Sequence, residues 1–233
     1  MKRFIDLFLS FFGLLIFSPI LIFFIFLIWM QDFKNPIYSA PRIGKNSKKF
    51  FMYKLRSMNV NASHSGVEST SSNDKRITKI GRIIRKFKID EISQLINVFL
   101  GSMSLVGPRP NTSKGVESYT KLEQELLKVK PGITDFASIV FSDEGEILKD
   151  SKDPDLDYDK LIRPRKSILG IFYLNNSNLI IDFCLCIITL TSIFSKKRAL
   201  EQLKRILKIL NADEEIIKIA SRGEKLMPMN PPK

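Results

Sequence analysis

Histidine is almost missing from this chain, with His64 the single instance. That argues against His-based triads and multi-histidine zinc centres, and its place in a Ser-rich stretch reads as a solvated side chain. Cysteine is scarce too. Cys184 and Cys186 stand two residues apart in an apolar run, which offers no metal-ligand pattern and suits reduced thiols on a cytosol-facing protein. No repeat occurs at solenoid spacing. No helix-turn-helix signature, RNA-binding aromatic motif or zinc spacing is present, so nucleic acid is not the expected partner. No small-x-small site closes the N-terminal apolar stretch, which, with its length, argues against a cleavable signal peptide.

Positive charge is abundant. The 37 Lys and Arg outnumber the 24 Asp and Glu, for a formal net charge of +13 over 233 residues. Such an excess implies an anionic partner, such as an anionic lipid surface or a phosphorylated substrate.

Residues 7–30 carry no charge and are as long as a bilayer-crossing helix requires. Pro19 removes a backbone donor near the middle of this run and predicts a kink or break, and Ser18 beside it can supply a local partner for a freed backbone group. Two arrangements follow, a kinked spanning helix or one that bends back to the side it entered. Basic residues flank both ends (Lys2 and Arg3, then Lys34, Arg42, Lys45, Lys48 and Lys49), so the positive-inside tendency selects neither end. A re-entrant segment satisfies both.

Beyond residue 33 the composition turns globular. Residues 50–58 read as a strand leading into a basic loop, and 59–74 as a polar Ser-rich loop. Over 76–87 the spacing predicts a helix burying Ile77, Ile80, Ile84 and Phe87, with Arg76, Lys79 and Arg82 opposite and available to anionic lipid. A second helix is predicted from about Asp90 to Leu100, with Ile92, Leu95, Ile96, Phe99 and Leu100 buried and Gly101 as its stop. Residues 179–194 read as a core or membrane-surface helix. The pattern divides the chain into a membrane hairpin (1–33), a catalytic domain (34–198) and a helical extension (199–233) suited to self-association, partner docking or a surface cap. The fold class is α/β, or mostly helical with few short strands, associated with a membrane.

The chemistry centres on Asp90 and Glu91. An Asp at a helix start is by default an N-cap, but Arg85 and Lys88 precede the pair, and Arg109 sits in a loop stiffened by two prolines. Those surroundings suit a phosphate and keep Asp90 ionised. A phosphate beside two carboxylates calls for a cation, and Mg²⁺ is the natural one. Adjacent helical residues point about 100° apart, so one acid can attack phosphorus while the other holds metal.

Several pieces together resemble the bacterial sugar transferase family, monotopic phosphoglycosyl transferases acting on a polyprenol phosphate. They are Ser18-Pro19, PRIG (41–44), YKLRSM (53–58), RITKIGRIIRKFKIDEISQLINVF (76–99), MSLVGPRP (103–110) and KPGIT (130–134). The resemblance implies a UDP-sugar donor, Mg²⁺, attack by Asp90 to give a phosphosugar-enzyme, and transfer to undecaprenyl phosphate at the cytoplasmic face of the inner membrane. It implies Glu91 as the metal-binding acid, and Lys54, Arg56, Arg85, Arg109 and Thr134 as phosphate or substrate contacts. It also implies a re-entrant helix broken at Ser18-Pro19. The pattern departs at Ala40, Ser102, Gly170 and DFAS (135–138), around the expected nucleotide-sugar pocket. A membrane-anchored basic scaffold, or a family member that has lost catalysis, are the competing readings.

Overall fold

The computed structural model describes residues 1–62 and 66–233, so the reading of His64 as solvated lies outside the described residues. In chain order the elements are α1 (Lys2–Asp32), β1 (Ile37–Ile43), β2 (Lys49–Leu55), α2 (Lys79–Lys86), α3 (Ile89–Ile92), α4 (Leu95–Leu100), β3 (Ser104–Val106), α5 (Ser113–Glu117), β4 (Gly132–Thr134), α6 (Phe136–Val140), α7 (Glu144–Ile147), α8 (Pro154–Asp157), α9 (Arg163–Asn176), α10 (Leu179–Phe194), α11 (Lys196–Ile209) and α12 (Glu214–Ser221). The chain is mostly helical with few short strands.

α1 runs through Pro19 as one helix. The N–H that proline lacks would have served Leu15 O, four residues back. Ser18 Oγ donates to that carbonyl instead, at 2.8 Å. Only Asp6, Ser10, Leu21 and Ile28 of this helix are buried, leaving most of its Phe, Leu and Ile side chains exposed. Both ends are tied to the rest of the chain. Lys2 Nζ donates to Val106 O, Tyr173 Oη and Asp182 Oδ2 at 2.7–2.9 Å, and Asp6 accepts from Ser104 Oγ and the Leu105 N–H. At the far end Arg56 grips Asp32 with two bonds of 2.5 and 2.6 Å.

β1 and β2 pair antiparallel from Ile37↔Leu55 to Ile43↔Lys49. β3 and β4 pair in parallel, Ser104 with Gly132 and Val106 with Thr134. Their approach depends on two glycines: a Cβ on Gly132 would lie 2.1 Å from Gly107 N, and one on Gly107 2.6 Å from Lys130 O. No side chain fits at either position, which accounts for glycine in both VGPRP and KPGIT.

α3 and α4 reverse the predicted polarity. Ser93, Gln94, Asn97 and Val98 point inward, while Phe99 and Leu100 are exposed and Ile92, Leu95 and Ile96 half-buried. The cause is the company each face keeps. Asn97 caps the open edge of β2, accepting from Tyr53 N–H and donating to Phe51 O, and Ser93 Oγ donates to Tyr53 O. The apolar face meets α1, with Leu95 against Gly13 and the Phe11 and Phe99 rings 6.2 Å apart. Gly101, at φ +89°, ends the helix as predicted.

α2 starts at Lys79, after Arg76, and buries Ile84, with Ile77 buried just ahead of it. Phe87 falls outside the predicted stripe and is exposed beside Ile83. Arg76 is not the free lipid contact expected: its guanidinium pairs with Asp74 and donates to the Val67 carbonyl, organising its own loop. Lys79 and Arg82 stay exposed. α10 buries Ile181, Leu185 and Ile188 and exposes Ile180, Phe183, Ile187, Leu190 and Phe194 at helical spacing. Ala199, Leu203 and Leu207 of α11 and Ile216, Ile219 and Ala220 of α12 share one core with α6, α9 and α10.

Candidate active site

The short α3 holds both acids, and its N-cap position is Lys88 in the left-handed region, φ 56°. Asp90 is therefore not an N-cap. It is 8% exposed, and its Oδ1 is buried with no hydrogen-bond partner. Burial pushes the Asp90 carboxyl up from its usual range. Lys54, Lys88 and Arg85 pull it back only in part, and the Glu91 charge adds to the rise. Its surroundings thus do not favour ionisation in the simple way its basic neighbours suggest, because desolvation is the larger effect.

Glu91 has the opposite fate. Burial alone would raise it, but Arg109, Lys88 and Lys54 together hold it well below the carboxylate range. Arg109 grips it as a fork, Nη1 to Oε2 at 3.1 Å and Nη2 to Oε1 at 3.2 Å. The same Nη1 donates to Ile133 O at 2.8 Å. The β3–β4 crossing therefore places Arg109, and Arg109 places Glu91. Two adjacent carboxyls are thus shifted in opposite directions from their usual range, Asp90 upward by burial and Glu91 downward by its basic neighbours.

Lys54 on β2 faces this pair. Burial and the nearby Arg109 charge lower it to about 8, against the pull of Asp90 and Glu91. Arg85 donates its Nε–H to Ser57 Oγ at 2.9 Å and is an electrostatic neighbour of Asp90. Lys54, Arg85 and Arg109 are thus gathered around the acids. Arg56 is not among them in this role: its guanidinium is committed to Asp32 at the end of α1. Thr134 is adjacent through Ile133, yet its hydroxyl is shared with Thr189 of α10 at 2.5 Å.

Other residues complete the basin, of which Glu144, Lys166 and Tyr158 were not singled out by the sequence. Glu144 acts electrostatically on both Arg85 and Arg109 and is ion-paired with Lys166, whose ammonium lies 5.1 Å from the Tyr158 ring centre. Arg42 neighbours Arg109 and Tyr158. Asp135, the first residue of DFAS, caps α6 through the Ser138 N–H and hydroxyl, and burial raises its carboxyl. Ala40 is buried in the core against Met52 and Val98, Ser102 binds Asn97, and Gly170 lies against Leu126, so those three departures serve packing. Among the described residues no group of three or more His, Cys, Asp or Glu is placed to hold a metal.

The mostly helical fold, with one long apolar helix, sets a buried acid pair among basic side chains, and the chain belongs to the bacterial sugar transferase family, whose profile matches residues 1–196. Among its relatives is a putative undecaprenyl-phosphate N-acetylgalactosaminyl 1-phosphate transferase of Bacillus subtilis, 40% identical over 133 residues, covering 57% of this chain and 70% of that protein. An uncharacterised sugar transferase of Haemophilus influenzae is 39% identical over 149 residues, covering 58% and 31%. The UDP-glucose:undecaprenyl-phosphate glucose-1-phosphate transferase of Escherichia coli K12 is 37% identical over 142 residues, covering 60% and 31%. The match therefore spans under a third of the last two proteins.

Proposed function

We propose that this protein transfers a sugar 1-phosphate from a UDP-sugar to undecaprenyl phosphate, through a phosphosugar carried on Asp90. The observation that carries the reading is the contrast within the acid pair: Glu91 clamped by Arg109, Asp90 buried with a carboxylate oxygen left without a partner. Asp90 forms a bond to the sugar-bearing phosphorus, the bridging diphosphate oxygen leaves with UMP, and a phosphate oxygen of the polyprenol later displaces the carboxylate. Lys54, Arg85 and Arg109 hold phosphate oxygens as their charge redistributes. The donor set suits Mg²⁺, a hard cation that commonly binds through one or two carboxylates plus substrate phosphate, and Glu91 with Asp90 would hold it. When bound, Mg²⁺ offsets the repulsion between carboxylates and diphosphate.

Membrane attachment from one side is part of the proposal. A straight 31-residue helix is about 46 Å long and the hydrocarbon core about 30 Å thick. A spanning α1 would carry its ends to opposite faces. Here Lys2, Arg3 and Asp6 at one end and Asp32 at the other contact the same body, which supports a helix that enters and stays on the cytoplasmic side of the inner membrane. Exposed apolar residues of α1, α4 and α10, with Ile83 and Phe87 flanked by Lys79, Arg82 and Lys86, supply a surface for anionic lipid. The test is UMP release by purified protein with Mg²⁺, a panel of UDP-sugars and undecaprenyl phosphate. Release is expected from the wild type and not from Asp90→Asn, and equal release by both would reject the reading.

A further inference from the structure

The family profile ends at residue 196, yet the chain beyond it packs into the same core and reaches back to the edge of the basin. α11 begins with Lys196 ion-paired to Asp143. Just past α12 the Arg222 guanidinium lies 3.5 Å from the same carboxylate and 5.1 Å from the Phe141 ring centre. Residues 223–233 then run without helix or strand across the body. Arg165 donates to Met227 O at 2.9 Å, the Met229 N–H donates to Lys160 O at 3.0 Å, and Thr120 Oγ1 donates to Pro232 O.

Three of these contacts fall beside a residue of the basin. Asp143 precedes Glu144, Arg165 precedes Lys166, and Lys160 lies two residues past Tyr158. Successive side chains on a helix point about 100° apart, so in each adjacent pair the first can hold the extension while the second faces elsewhere. The second side chains meet, as the Glu144–Lys166 ion pair with the Tyr158 ring beside the ammonium. Both are electrostatic neighbours of Arg109, which grips Glu91. Glu144 and Lys166 keep 31% and 21% of their side-chain exposure, so this wall of the basin is open to a ligand. A carboxylate, an ammonium and an aromatic ring suit the hydroxyls, diphosphate and flat base of a nucleotide sugar. Beyond its phosphate a polyprenol offers only apolar length, which the exposed faces of α1 and α10 suit better.

We propose that residues 222–229 form a strap that positions the wall of Glu144, Lys166 and Tyr158, and that this wall binds the nucleoside diphosphate of the sugar donor. Arg222 is a positioning residue that acts on Glu144 through Asp143, and Arg165 is a second that ties the strap to α9 beside Lys166. The inference rests on the proposed transfer from a UDP-sugar. It assigns the extension to the donor site, in place of self-association or partner docking.

The test is steady-state UMP release by full-length Arg222→Met and Arg165→Met in nanodiscs, with UDP-sugar and undecaprenyl phosphate varied separately. Each variant should raise KM for the UDP-sugar about tenfold, roughly the worth of one hydrogen bond to a charged group. Both kcat and KM for undecaprenyl phosphate should stay within about twofold, because the binding lost is common to ground and transition states. Arg222→Lys, which keeps a cation for Asp143, should lie within about threefold of wild type. Arg165→Met leaves the Asp143 ion pairs in place, so it reports even where Arg222→Met fails to fold. An unchanged donor KM in either folded variant would overturn the strap, as would a fall in kcat with both KM values unchanged, the mark of protein lost to misfolding. Equal rises in both KM values would place the wall outside the donor site and overturn it too. Each of those results leaves wild-type UMP release intact; its absence with every UDP-sugar would reject the proposed function and this inference with it.

Discussion

Arg109 is the side chain on which the acid pair's geometry turns, and replacing it separates charge from shape. It makes three bonds, two to Glu91 and one to Ile133 O. Lysine at this position keeps the charge but has no planar fork. It can reproduce one direction and leaves the others unmade, a loss of about 2 kcal/mol if each bond to a charged group is worth roughly 1.5–3 kcal/mol and part is recovered by water. If that loss falls on the transition state, kcat drops roughly 30-fold. Methionine removes the charge as well. Glu91 then keeps its ion pair with Lys88, 3.7 Å away, and the cost moves toward the about 3–5 kcal/mol of a broken buried pair. The side chains of Arg109 and Glu91 keep 25% and 20% of their exposure, which favours the lower end. The expected order in both UMP release and Tm is wild type, then Arg109→Lys, then Arg109→Met. An Arg109→Lys variant with full activity and unchanged Tm would refute the claim that the fork sets Glu91.

Other predictions follow from the same geometry. Lys54 is lowered to about 8 from an ordinary value near 10.4, so between these pH values the unfolded chain binds more protons and stability rises with pH. The Tm of the wild type relative to Lys54→Met should therefore climb from pH 8 to pH 10, and a flat difference would contradict it. Gly132→Ala should abolish folded expression, because its Cβ would lie 2.1 Å from Gly107 N; a folded, active variant would show that the β3–β4 crossing is not required. Arg56→Gln should release the end of α1 and weaken membrane retention while sparing the acid pair, read as a change in vesicle binding larger than the change in kcat.

What could be read from the sequence depended on whether neighbours in the chain were also neighbours in space. β2, the stop at Gly101 and the Ser18 partner for the proline gap are local, and all three were legible. So was the meeting of Asp90, Glu91 and Arg109, carried by the likeness of the whole IDEISQ to GPRP stretch. The inverted face of α3 and α4 was not, since periodicity locates an apolar stripe without saying that α1 covers it while β2 takes the polar side. Arg56 looked like a phosphate ligand until Asp32, 24 residues away, claimed it. Glu144 and Lys166 lie 22 residues apart in a stretch without family landmarks, and only the fold of α7 against α9 shows them as a pair.

The most direct measurement is intact-protein and peptide mass spectrometry after incubation with Mg²⁺ and a UDP-sugar, with polyprenol phosphate withheld. The account predicts a sugar phosphate adduct on Asp90 that disappears when undecaprenyl phosphate is added and never forms on Asp90→Asn. Release of UMP with no adduct, or an adduct on another residue, would contradict it.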